Sequence, residues 1–159
     1  MKKKIRSATM KDLKEVQELN FKLFEKEKEE YDSLTDLDWA FGKGGTRYYK
    51  DKISKGDACV LVAVVDNKIV GYLCGVLASK GFYRRLPSVV GAYLETIFVL
   101  DEFRSKKIGK KLYGEFIKWC KVKHVKKLML DVSTKNKLEI KFYKKNSFKD
   151  YSLTLETDL

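Results

Sequence analysis

The sequence predicts an α/β domain, with a mixed, largely antiparallel and twisted sheet carrying helices on both faces. Three observations predict it. Gly91–Val99 is a β-rich run followed by a basic loop, an amphipathic helix at about Lys107–Lys123 and a second apolar run at Lys127–Val132, which together make a βαβ unit with a parallel strand pair. Ala58–Val65 and Lys68–Leu77 are β-rich runs separated only by Asp66-Asn67, the spacing and residue type of a hairpin turn, so the sheet also has antiparallel members. The chain has 159 residues, 44% hydrophobic and 35% charged, a balance that suits one soluble domain over residues 1–159.

Taken in order, Lys2–Ala8 reads as the first strand. Thr9, with Asp12 three residues on, is a capping-box signal, and a helix follows with Leu13, Val16, Leu19, Phe21 and Leu23 or Phe24 near helical spacing. Glu25–Asp38 gathers seven acidic residues in an otherwise basic chain. It is either a solvated helix end and loop or an acidic rim that draws in a cationic substrate. Trp39, Phe41 and a glycine-rich turn lead to a helix at about Thr46–Ser54. Gly42-Lys43-Gly44-Gly45 lacks the Gly-Lys-Ser/Thr ending of a phosphate-binding P-loop and follows no strand. After the hairpin, Ala78–Val90 is a loop with Gly81, Pro87, Phe82, Tyr83, Arg84 and Arg85, suited to facing a substrate or simply to joining strands. Alternation along Gly91–Val99 places Tyr93, Glu95, Ile97 and Val99 on one face and Leu94, Thr96 and Phe98 on the other. The next helix shows Ile108, Leu112, Phe116, Trp119 and Cys120 on one stripe, with Trp119 in the core. A short helix over about Lys137–Lys145 and a closing strand at Phe148–Leu155 complete the chain.

Composition excludes several classes. No apolar run reaches the roughly 18 residues of a membrane span, and the basic start MKKKIRSAT has no apolar stretch behind it, so a cytoplasmic location is expected. Cys59, Cys74 and Cys120 are odd in number and widely spaced, and His124 is the only histidine, which argues against a disulfide framework and a structural metal site. The net charge is +12, but its lysines are spread along the chain. That distribution fits a local anion site better than the coherent basic face that nucleic acid requires.

One stretch concentrates the chemistry. In Leu94–Leu112, LETIFVLDEFRSKKIGKKL, a strand runs into Arg104-Ser105-Lys106-Lys107-Ile108-Gly109 and then into a helix. The first-turn N–H groups of that helix lack partners and its dipole is positive there, so the stretch is suited to hold a pyrophosphate. The pattern Arg104-x-x-Lys107-x-Gly109 resembles the acetyl-coenzyme A signature of the GCN5-related N-acetyltransferase (GNAT) family, Arg/Gln-x-x-Gly-x-Gly/Ala. Asn136 and Phe142-Tyr143-Lys144-Lys145-Asn146-Ser147-Phe148 resemble a second family pattern, an Asn followed by Leu/Phe-Tyr-x-Lys-x-Gly-Phe. Tyr93 through Phe148 is most similar to the diamine (spermidine/spermine) acetyltransferases. Lys107 and Ser147 each stand where the family has glycine. Lys107 either adds charge to the phosphate site or weakens it, while a left-handed Asn146 would compensate for Ser147.

The resemblance implies a GNAT (acyl-CoA N-acyltransferase) fold and direct acetyl transfer from acetyl-CoA, without a metal, to a primary amine of a small diamine or polyamine-like acceptor. A protein N-terminal or lysine amine is the alternative acceptor. A non-catalytic module that binds nucleic acid is the alternative of another class. A homodimer is also implied. By resemblance, Glu95 is the general base, and Tyr143 protonates the leaving thiolate. Backbone groups of Ile97, Phe98 and Val99 bind the pantetheine arm, and the loop Ser105, Lys106, Lys107, Ile108, Gly109 and Lys110 binds the pyrophosphate. Arg104 anchors that loop. Asn136 caps the next helix, with Glu139 three residues on, and contacts the cofactor as well.

Overall fold

Thr9 and Asp12 turn the first strand into the first helix. The computed structural model, which describes residues 1–159, has β1 at Lys3–Ser7, α1 at Leu13–Glu30, α2 at Lys43–Ser54, β2 at Ala58–Val65 and β3 at Lys68–Leu77. It continues with β4 at Gly91–Val99, α3 at Ile108–Val122, β5 at Lys127–Met129 and α4 at Lys137–Lys145. The Asp12 carboxylate accepts from the Thr9 N–H at 2.7 Å and from both Arg6 guanidinium N–H groups at 2.7 and 2.8 Å, so the corner between β1 and α1 is tied on both sides. The Arg6 hydrogen bonds hold the Asp12 carboxyl well below the usual carboxylate range.

The sheet order is β1-β2-β3-β4-β5, antiparallel throughout except for the parallel β4/β5 pair that α3 connects. The Asp66-Asn67 turn takes positive φ at both residues, 45° and 69°, as a two-residue hairpin of this hand requires. Alternate residues of β3 define the two faces. Tyr72 and Cys74 meet Asn20 of α1 and Tyr48 and Tyr49 of α2. On the opposite face, a Cβ at Gly75 would lie 2.2 Å from the Phe116 ring, so glycine there lets α3 sit down on the sheet. One buried cluster joins both layers through Val16, Leu19, Val62, Tyr72, Leu73, Leu112 and Phe116. Cys59, Cys74 and Cys120 are free and buried within it. No helix is long and apolar enough to cross a membrane.

The sequence expectations need five corrections. Helix α2 starts at Lys43 rather than Thr46, because Gly45 fits against the preceding turn where a Cβ would lie 2.2 Å from the Trp39 carbonyl oxygen. Strand β5 ends at Met129 instead of Val132. The expected closing strand Phe148–Leu155 is absent, since this segment finds no strand partner and its last backbone hydrogen bond is Phe148 N–H to Tyr143 C=O. Asn146 is not left-handed (φ −97°); the positive φ of 69° belongs to Ser147, at the position of the glycine it replaces. Finally, the simple alternation along β4 fails at Glu95. Gly75 pairs with Leu94 and Cys74 with Thr96, which leaves Glu95 as the extra residue of a β-bulge. Directly paired residues share a face. Tyr93, Thr96 and Phe98 therefore face α1 and α2, with Glu95 bonded on that side, while Ile97 and Val99 face α3.

Candidate active site

The bulge opens the sheet beside the α3 N-terminus. β4 and β5 pair only as far as Tyr93 and Met129. Leu100 N–H donates to Val70 C=O at 2.9 Å. By antiparallel alternation, Phe98 and Thr96 turn their backbone groups toward β3, while Ile97 and Val99 turn theirs away from it, beyond the reach of β5. Of the three strand residues expected to meet a pantetheine arm, Ile97 thus presents a free edge and Val99 a free N–H, its carbonyl being taken by Arg104. Phe98 presents neither, because its backbone groups are taken up by β3.

The loop that follows is built to expose donors. Ser105 and Lys107 have φ of 60° and 62°, on either side of Lys106, and such turns aim successive N–H groups at one point. From Ser105 to Lys110 no backbone N–H donates to a loop or cap carbonyl, and no side chain caps α3; Lys111 makes the first bond, to Lys107 C=O at 3.1 Å. Arg104 anchors the loop. Its Nε donates to Val99 C=O at 3.1 Å, its guanidinium pairs with Asp101 at 2.7 Å, and it lies over the Phe98 ring. Lys106 reaches Glu102 C=O at 2.9 Å, whereas Lys107 and Lys110 are exposed without a side-chain partner and Ile108 is buried under the turn. Lys3 Nζ donates to Lys106 C=O at 3.1 Å, a long-range contribution with no local signal in the sequence.

Helix α4 borders the same opening. Asn136 Oδ1 accepts from Glu139 N–H at 3.1 Å, the expected cap. Tyr143 is buried among Phe142, Phe148 and, through Phe142, Tyr113. Burial, then the nearby Glu139 carboxylate, raises the Tyr143 phenol well above its ordinary range, so the hydroxyl keeps its proton at neutral pH. Glu27 is half-buried, with Asp32 close by and Glu139 facing it from α4. Burial, then these like charges, raises its carboxyl.

Glu95 lies in the wall of a pocket of about 410 Å³, together with Tyr83, Tyr93, Leu94 and Asp131. Tyr48 donates its hydroxyl to Glu95 Oε2, and the Cys74 thiol lies 3.9 Å from the same oxygen. Tyr48, Cys74, Tyr93 and Asp131 were not expected from the sequence. The one usable signal was Asp131, a carboxylate just past the carboxyl end of a parallel strand, where open α/β sheets bind ligands.

The fold thus combines a parallel pair that ends after three residues, a donor-rich turn at a helix N-terminus and a carboxylate on a bulged central strand. Residues 13–148 match the model of the Acetyltransferase (GNAT) family, and the chain belongs to that family. No curated protein matches the sequence. Among solved structures, a tetramutant of the BH1408 protein from Bacillus halodurans superposes with a TM-score of 0.83 at 23% identity, over 98% of this chain and 99% of that one. The PaiA N-acetyltransferase from Thermoplasma acidophilum, in complex with coenzyme A, gives 0.77 at 24% identity, over 97% and 94%. Aminoglycoside N-acetyltransferase AAC(6')-Iy in complex with CoA gives 0.75 at 17%, over 99% and 95%. At these identities the likeness shows the fold.

Proposed function

We propose that the protein moves an acetyl group from acetyl-CoA directly to a primary amine of a small acceptor that carries more than one ammonium group, a diamine or polyamine. The observation that carries this reading is the Glu95 pocket. Two carboxylates, Glu95 and Asp131, and two tyrosine rings, Tyr83 and Tyr93, line a space of about 410 Å³. Carboxylates and aromatic faces are what ammonium groups bind, and the volume suits a small molecule. Aminoglycoside acetyltransferases are among the structural neighbours, and aminoglycosides are themselves polycationic amines, which supports the same acceptor class.

Bound acetyl-CoA supplies an activated acetyl thioester. The free N–H groups of Ser105–Lys110 would hold its pyrophosphate, and the open edge at Ile97 with the Val99 N–H its pantetheine arm. An alkyl amine has a pKa near 10, so it arrives protonated; Glu95 takes that proton and leaves the nucleophilic form. Tyr143 is assigned the proton for the departing thiolate by the resemblance; it is protonated at neutral pH, and its raised phenol makes that transfer the uphill one. Direct transfer is favoured because no cysteine is equipped to carry the acetyl group. Burial pushes the Cys59 and Cys74 thiols up to about 12 and Cys120 to about 11, so all three are thiols at pH 7.

The test is an acceptor screen following acetyl-CoA-dependent release of free thiol. Short diamines, spermidine, simple monoamines, an aminoglycoside and a peptide with a free N-terminus are compared. Diamines or spermidine should give the highest kcat/KM, at least about tenfold above a monoamine of equal length, the worth of one further charge-assisted contact. Turnover of the peptide with none of the polyamines refutes the acceptor assignment.

A further inference from the structure

We propose that Tyr48 is a positioning residue that holds Glu95 by one carboxylate oxygen and leaves the other to take the proton. The inference rests on the reading of Glu95 as proton acceptor. Glu95 is exposed and sits on a bulge, where a long side chain with free torsions would sample many orientations. The structure gives it one. The Tyr48 hydroxyl donates to Oε2, and the Cys74 thiol lies 3.9 Å from that oxygen, on the same side. Oε1 has no protein partner. The carboxylate is therefore divided between an anchored oxygen against α2 and a free one, on a residue that lines the pocket with Tyr83, Tyr93 and Asp131.

Tyr48 can act as an anchor because it is itself fixed. Its ring meets Tyr49 edge-on at 5.1 Å and Trp39 at 5.5 Å, and the Lys52 ammonium lies 5.3 Å over its face. Gly45 lets the first turn of α2 press against the Trp39 carbonyl, which sets where Tyr48, three residues on, projects. Burial, then the neighbouring Cys74 and Glu95, raises the Tyr48 phenol, so it remains a donor throughout the working pH range. Lys52 places its ammonium over the Tyr48 ring and acts by charge on the Cys74 thiol.

A packing role and a positioning role separate in a double-mutant cycle. Tyr48→Phe keeps the ring and removes only the donor. Single-turnover acetylation of the best acceptor is measured for the wild type, Tyr48→Phe, Glu95→Gln and the double variant, with the melting temperature and acetyl-CoA KM of each. Tyr48→Phe should slow turnover about tenfold or more, the worth of one hydrogen bond to a charged group. It should leave the acetyl-CoA KM within about twofold, since none of the cofactor contacts involves α2 and distant sites act independently. In the Glu95→Gln background the same change should cost nothing further. An equal loss in both backgrounds, or no loss in the wild type, overturns the inference while leaving Glu95 as base. Full activity in Glu95→Gln alone instead overturns the base assignment, and Tyr48 with it. Cys74→Ala provides a second probe that removes the other neighbour of Oε2; its loss should be smaller than that of Tyr48→Phe and likewise vanish with Glu95→Gln.

Discussion

Replacing Lys107 by glycine tests how the phosphate turn is made. Lys107 has φ of 62° and ψ of 16°, the left-handed region, and it is exposed with no hydrogen-bond partner for its ammonium. An L-residue loses about 1–2 kcal/mol there because its Cβ crowds the following carbonyl. Glycine removes that cost and gives back roughly 0.5–1 kcal/mol through the larger freedom of the unfolded chain. Lys107→Gly should therefore stabilise the protein by about 0.5–1 kcal/mol, a rise in melting temperature of about 1–4 °C for this size. Lys107→Ala keeps the Cβ and loses the same charge, so it should gain nothing. The comparison of Gly with Ala isolates the backbone from the ammonium. Calorimetric unfolding of the three proteins, alone and with saturating acetyl-CoA, reads both. Cofactor binding should weaken to a similar extent in the two variants at low salt, by less than about tenfold, because one exposed charge near a phosphate is worth about 1 kcal/mol in water. It should weaken less as salt is raised. Equal melting temperatures for Gly and Ala refute the claim that the turn is strained. A Gly variant that binds the cofactor much better than Ala shows instead that a side chain at this position obstructs the cradle.

The other expectations are more direct. Tyr143→Phe should lower turnover by about 10²-fold while the acetyl-CoA-induced rise in melting temperature persists, as measured by thiol release and thermal unfolding. Asp12→Asn should destabilise by about 1–2 kcal/mol at pH 7, because it loses the charge that Arg6 and the Thr9 N–H stabilise. The Asp12 carboxyl is depressed in the folded state, so its contribution is complete above the unfolded value near 4 and is lost as pH falls below it. The gap in melting temperature between wild type and variant should accordingly narrow from about pH 4 to pH 2 without closing. Glu27→Gln should stabilise at pH 7 by on the order of half a kcal/mol, since burial, Glu139 and Asp32 all raise its carboxyl and the charged form is the disfavoured one. That gain should shrink as the wild-type carboxyl protonates at lower pH.

The architecture was legible where local patterns and long-range packing agree. The hairpin at Asp66-Asn67, the βαβ unit and the apolar stripe of α3 each state their own periodicity, and the structure keeps them. What failed depended on partners. Phe148–Leu155 alternates like a strand, yet a strand exists only by pairing, and β5 is three residues long. The α2 start moved because Gly44 and Gly45, read as turn formers, serve close packing against Trp39. Within the candidate site, the N–H cradle was legible because a helix terminus announces itself locally. The environment of Glu95 was not, because Tyr48, Cys74 and Asp131 come from three separate parts of the chain and meet it only after the sheet is assembled.

The bulge shows why this site could not be read by alternation. With strict period two, Glu95 would share a face with Ile97 and Val99, and the carboxylate would point toward α3. The one unpaired residue reverses that relation after Glu95. It keeps Glu95 on the side of Tyr48 and Cys74 while Ile97 and Val99 turn their side chains to α3 and their backbone groups to the open edge. A single insertion of register thus separates the Glu95 carboxylate from the Ile97 and Val99 edge along one strand. Paired regularly, β4 could align either set with its partners but not both. Lys107 and Ser147, which stand where the resembled family pattern has glycine, both take positive φ, 62° and 69°. Packing next to each residue, Ile108 buried after Lys107 and Phe148 against Tyr143 after Ser147, supports that conformation.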